Sequence, residues 1–290
     1  MIPCLQLFCK AGTRDKTAHY YRFLTVIFDY SIRALSLIYI PIILLAVGVV
    51  AGTFGSMVGV GGGILMVPVL TVLGLEPSQI ASTSLMAVTS TGISSTIEYS
   101  RQKRIDYLVG LKIAALAIPG AILGAFLSSY IPFEHFKVYF AVILIFTGLY
   151  ILYRKSILKE RPSKTDSKLL QPLFYTGSFT AGIISSLFGI GGGIIFVPSM
   201  VIILGVSMFR AGPNSQLALL ITSIVGVFSH SLLGHTNYIY GILLAIGSLT
   251  GGFIGARVSQ YVREDILQIL LSMSLIGVAV KLLIDFINNK

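Results

Sequence analysis

The stretch GVGGGI at Gly59–Ile64 recurs as GIGGGI at Gly189–Ile194, and in each copy a proline, Pro68 or Pro198, follows five residues after the last glycine. Both copies lie inside long apolar runs. A glycine triplet ends a helix because it exposes backbone and has the poorest propensity short of proline. At membrane depth, non-helical backbone is tolerated only where protein buries it or where it lines a polar cavity. Two glycine breaks at corresponding places in two halves point to a transporter's binding site.

The composition supports a membrane setting. The 290 residues are 55% hydrophobic and only 11% charged, against about 25% charged in ordinary soluble proteins. The net charge of +10 does not indicate nucleic acid, because Lys and Arg fall between the apolar runs, where they set topology and meet anionic headgroups. Cys4 and Cys9 fit no zinc or redox spacing and read as free thiols. The leader holds Lys10, Arg14, Lys16, Arg22 and Arg33 and lacks a signal-peptide pattern, so it is expected to be cytoplasmic.

The glycine stretches anchor a duplication. An offset of 130 pairs Ala51-Gly52 with Ala181-Gly182 and Val67-Pro68 with Val197-Pro198. Beyond one inserted residue the offset is 131, pairing Ser84 with Ser215, Thr91 with Thr222, Tyr107 with Tyr238, Gly120 with Gly251, Gly124-Ala125 with Gly255-Ala256 and Tyr130 with Tyr261. Spans are predicted near 37–58, 80–100, 107–129 and 137–153, and again near 170–188, 213–233, 238–259 and 266–286. The arms 64–74 and 194–204 reach about half the hydrocarbon core and are expected to be re-entrant or broken.

Four spans per half imply an all-α, eight-span membrane protein built from two parallel repeats about an axis along the membrane normal. The expected organisation is a leader 1–36, a first repeat 37–153, a linker 154–169 and a second repeat 170–290. Both termini, the Arg101–Arg104 turn and the linker then face the cytoplasm, with IPFEHF and VRED outside, in accord with the positive-inside rule.

The candidate substrate-binding residues are the loop glycines Gly59, Gly61, Gly62 and Gly63 with Gly189, Gly191, Gly192 and Gly193, joined by Thr83, Ser84, Asn214, Ser215 and Gln216. Two readings of the triplets stand side by side: close helix contact, or backbone N–H groups and helix ends facing an anion. Neutral hydroxyl and amide donors suit an anion that must also leave. Of the 11 carboxylates, Glu98 is the most embedded, and none sits mid-membrane as a cation ligand. No metal-ligand spacing occurs, and neither a cofactor nor an enzymatic activity is expected. His230, in register with Tyr99, reads as a hydrogen-bonded interior histidine or a group titrating near neutrality. Arg257 either snorkels or attracts an anion at the outer mouth, and Lys112 and Lys281 snorkel. Gly120-x3-Gly124 and Gly251-Gly252-x2-Gly255 read as packing signals.

The ordered, duplicated set of GxGGG, apolar stretch with proline, polar helix and a later LGA or IGA resembles the TauE/SafE sulfite-exporter family from about Ala46 to Leu283. The resemblance implies about eight spans in two halves and a cargo such as sulfite or a sulfonate crossing the inner membrane. With no ATP-binding motif, the expectation is a secondary transporter for a small anion in a lipid bilayer. A channel-like anion pathway and a membrane-embedded enzyme or assembly factor are the alternatives.

Overall fold

The computed structural model describes residues 39–130, 167–204 and 206–263, with isolated positions between 132 and 149 and between 266 and 284. The predicted leader, most of the linker, and the spans near 137–153 and 266–286 lie largely outside the described residues. The chain divides into a unit Met1–Ile43 and a unit Leu44–Lys290, and all packing below lies within the second.

Every regular element among the described residues is a helix. They are α1 (Tyr39–Val58), α2 (Gly63–Val72), α3 (Pro77–Arg101), α4 (Tyr107–Ser128), α5 (Ser167–Phe188), α6 (Gly193–Ile203), α7 (Met208–Leu232) and α8 (Tyr238–Val258). Among them α1, α4, α7 and α8 are long and apolar enough to cross a membrane. The caps follow the duplication. Asp106 accepts from Leu108 and Val109 N–H at the start of α4, and its counterpart Asn237 accepts from Tyr240 N–H at the start of α8. At the ends of α3 and α7, Arg104 N–H reaches Tyr99 O and His235 N–H reaches His230 O, both at 3.1 Å, the same helix-terminating bond in each half.

The contacts fix helix directions. Thr89 meets Ser223, Ser95 meets Gln216 and Ser82 meets Thr236, so α3 and α7 run antiparallel. Gly252 abuts Thr91, while Ser259 reaches Tyr99 and Arg104, so α8 runs with α3. Gly247 sits on Leu45 and Val49, and Gly255 on Thr53 and Ser56, so α1 runs with α8. Gly120 sits on Phe179 and Gly124 on Ile183 and Ser186, so α4 runs with α5. Both small-residue motifs are therefore packing seams, as expected, and both join the two halves.

Each duplicated pair, α1 with α5, α3 with α7 and α4 with α8, thus points in opposite directions. Among the described helices the two halves are therefore inverted relative to one another, which corrects the parallel arrangement expected from sequence. The cause lies in the arms. Gly62 packs on Ala51, Gly192 faces Ala181 and Gly177 faces Ser199, so α1–α2 and α5–α6 are hairpins that return towards the end they entered. Counting α1 as a crossing and α2 as none therefore miscounts by one.

One end gathers the described cations. Arg101, Lys103 and Arg104 lie in the α3–α4 turn and Lys112 just inside α4; Arg210 starts α7, and Arg257 and Arg263 close α8. The Arg104 Nη1 to Ser259 Oγ bond of 2.9 Å places the end of α8 beside the α3–α4 turn. The expectation of those two segments on opposite faces is therefore overturned. From Leu44 onward α1 runs with α8, so Leu44 and the Arg101–Arg104 turn lie at opposite ends.

Candidate functional site: two glycine loops at the helix crossing

The loops Gly59–Gly62 and Gly189–Gly192 meet where α3 crosses α7. Gly62 (φ 77°) and Gly192 (φ 58°) cap α2 and α6 in the left-handed region, and no side chain caps either helix. Each loop is seated on the other: Gly63 abuts Gly189 and Ile190, and Gly193 abuts Gly59 and Val60. Gly61 and Gly191 both face Val88 and Leu219, themselves a duplicated pair. Any side chain at these positions would drive into backbone or into Val88 and Leu219. The close-contact reading of the triplets is therefore satisfied on steric grounds alone.

The predicted polar residues divide into two groups. Ser84 donates to Gly189 O at 2.8 Å, with Ala81 O at 3.0 Å, and Ser215 donates to Gly59 O at 2.6 Å. A serine has one hydroxyl hydrogen, so both serines spend theirs holding the tip of the opposite half. Gln216 Nε2 donates to Gly55 O at 2.9 Å, and its Oε1 accepts from Ser95 at 3.1 Å. Gly55 O also receives Gly59, Val60 and Gly61 N–H, which wraps the first loop around one carbonyl. These three side chains position the loops.

Thr83 and Asn214 behave differently. They are duplicated counterparts, 0% and 1% exposed, and Thr83 Oγ1 and Asn214 Nδ2 have no hydrogen-bond partner among the described residues. Asn214 Oδ1 meanwhile accepts from Asp106 N–H at 2.7 Å. A buried polar group left unpaired is costly and calls for an explanation. The structure does not bring the two together; one belongs to each half of the crossing. A small crevice lined by Phe54, Val58, Ile64 and Leu65 among others flanks the first loop.

Residues outside the predicted set complete the frame. Tyr99 Oη donates to Ser56 O at 2.7 Å, and His230 Nε2 lies 3.0 Å from Ser186 O, so the counterparts Tyr99 and His230 hold the same carbonyl in each half. Their register was visible in the duplication; their shared partner was not. Glu98 is buried, with Arg257 Nε at 3.5 Å and Arg101 Nη1 at 3.9 Å. Arg257 therefore belongs to the basic end and not to a mouth opposite it. Among the described residues no group of His, Cys, Asp and Glu could hold a metal.

The family described as Sulfite exporter TauE/SafE matches residues 44–282. A Bacillus subtilis relative named probable membrane transporter protein YunE is 30% identical, over 84% of this chain and 97% of its own length. A Methanocaldococcus jannaschii protein, also named a probable membrane transporter protein, is 30% identical over 81% of this chain and 92% of its own. Escherichia coli YfcA, likewise so named, is 24% identical over 74% of this chain and 79% of its own. No solved structure gives a significant match.

Proposed function

Because this chain belongs to the TauE/SafE family of membrane transporters, we propose that it is a secondary transporter carrying a small anion, sulfite or a sulfonate, across the cell membrane by alternating access. The observation that carries the reading is the meeting of two uncapped helix N-termini, at Gly63 and Gly193, in the middle of the fold. The first N–H groups of a helix lack intrahelical acceptors and sit at the positive end of its dipole. Glu98, the buried carboxylate among the described residues, lies away at the basic end. An anion there meets neutral donors, with no buried counter-charge to trap it.

In this reading the loop amides at Gly62, Gly63 and Gly192 contact the anion, the free groups of Thr83 and Asn214 stand one on each side of the crossing along its path, and Ser84, Ser215 and Gln216 hold the loops. Inverted halves give two ways of opening related by a pseudo-two-fold axis, one to each face. The basic end faces the cytoplasm by the positive-inside rule.

The test is flux into proteoliposomes with sulfite, thiosulfate, sulfonates and carboxylates. Saturable transport of sulfite, competed by sulfonates, is expected. Flux that never saturates would replace the transporter by a channel, and a preference for carboxylates would reject the sulfur-anion assignment.

A further inference from the structure

The duplication pairs Tyr99 with His230 and Arg104 with His235, and the two pairs occupy opposite ends of the α3/α7 crossing. At the basic end, Tyr99 is tied to Ser56 O and Ser259, and Arg104 to Ser259 and Phe209 O. An arginine there keeps its charge at any physiological pH. At the other end both places are taken by imidazoles.

The hydrogen-bond roles there follow from one fixed acceptor. Ser186 O can only accept, so His230 Nε2, 3.0 Å away, carries the hydrogen. A neutral His230 then presents a bare Nδ1, to which His235 Nδ1–H donates at 3.3 Å. His235 Nε2 is left bare and accepts from Ser129 Oγ at 3.2 Å. One polarity runs from the exposed Ser129 to the buried Ser186, three residues before Gly189 in the second loop.

We propose that His235 and His230 form a proton-loading site: a proton enters at His235 Nε2 and is handed from His235 Nδ1 to His230 Nδ1. The N–H bond at His235 Nδ1 breaks and that at His230 Nδ1 forms. His235 is left neutral in its other tautomer, with the charge on His230. The Ser186 carbonyl, 3.0 Å from His230 Nε2, cannot take the hydrogen from it, so the proton is held beside the second hairpin. The inference rests on the transporter reading and names its coupling ion.

The groups facing the pair are Glu76 at the start of α3, Ser129 after α4 and Ser186 on α5. Burial pushes the His235 imidazole below its usual range, and Glu76 opposes that shift. The neutral form of His235 is therefore favoured, and it gains its proton as the pH falls. A charge on His230 near Gly189 favours an anion in the loops, and by linkage the anion favours the proton.

Two measurements test this. Histidine 15N spectra of the protein in nanodiscs should show the Nε2–H tautomer for His230 and the Nδ1–H tautomer for His235 near neutral pH. A nitrogen–nitrogen coupling across their hydrogen bond is expected, and the titration of His230 should shift in His235→Gln. An Nδ1–H tautomer at His230, or a His230 titration unchanged in His235→Gln, overturns the proposal. In proteoliposomes, a pH gradient of one unit should drive about tenfold anion accumulation at one proton per anion. That accumulation should be lost in His235→Gln and in His230→Tyr, which restores the residue of the other half. Accumulation retained in both variants overturns the relay and leaves transport standing. A wild-type protein that moves none of the anions defeats the transporter reading, while the spectra still decide the proton site.

Discussion

Lys103 sits at φ 55° in the turn that ends α3, where its counterpart in the other half is Gly234 at φ 74°. A left-handed conformation costs a residue with a Cβ about 1–2 kcal/mol, so Lys103→Gly should raise the unfolding midpoint in detergent; an unchanged or lower midpoint would show that the Lys103 side chain offsets the strain. The duplicated serines make a paired prediction. Ser84→Ala and Ser215→Ala each leave a buried glycine carbonyl without its donor, at about 1–3 kcal/mol. Both should lower thermal stability by similar amounts. A variant that keeps full stability but loses anion affinity would return its serine to the substrate.

At the level of elements, the seams α4–α5 and α1–α8 are backbone against backbone. Gly124 packs on Ile183 O, and Gly255 on Thr53 O. Two methyl groups on a branched side chain cannot be accommodated there without separating the helices. Gly124→Val and Gly255→Val should abolish recovery of folded protein in gel filtration. Gly74→Ala, where an added methyl meets open space, should cost only about 1–3 kcal/mol of backbone strain. Normal yields of Gly124→Val would mean that α4 and α5 can part without unfolding. The hairpins α1–α2 and α5–α6 matter in another way: each carries a loop to the crossing and returns, so their glycines govern topology as well as packing.

For the molecule as a whole, inverted halves place the counterparts Tyr130 and Tyr261 at opposite ends, both well exposed. With Cys4 and Cys9 replaced, Tyr130→Cys should react with an impermeant thiol reagent added to intact cells. Lys103→Cys and Tyr261→Cys should react only after the membrane is opened. Labelling of Lys103→Cys and Tyr261→Cys from different sides would restore the parallel arrangement. A common but outward-facing result would keep the inversion and reverse the orientation assigned from charge.

The sequence by itself determined that this is a helical membrane protein, that it is duplicated, where its helices break and which glycine motifs pack. Those properties rest on local composition and on register, both of which are written along the chain. It also supplied the resemblance that the family match bears out. Direction was not legible, because an arm of about ten residues can continue a helix or fold back on it. That choice was made by contacts such as Gly62 on Ala51 and Thr89 on Ser223. Nor could spacing separate Ser84 from Thr83. Both are buried hydroxyls on one helix, and only the carbonyl of Gly189, 105 residues away in sequence, decides that one is occupied while the other stays free.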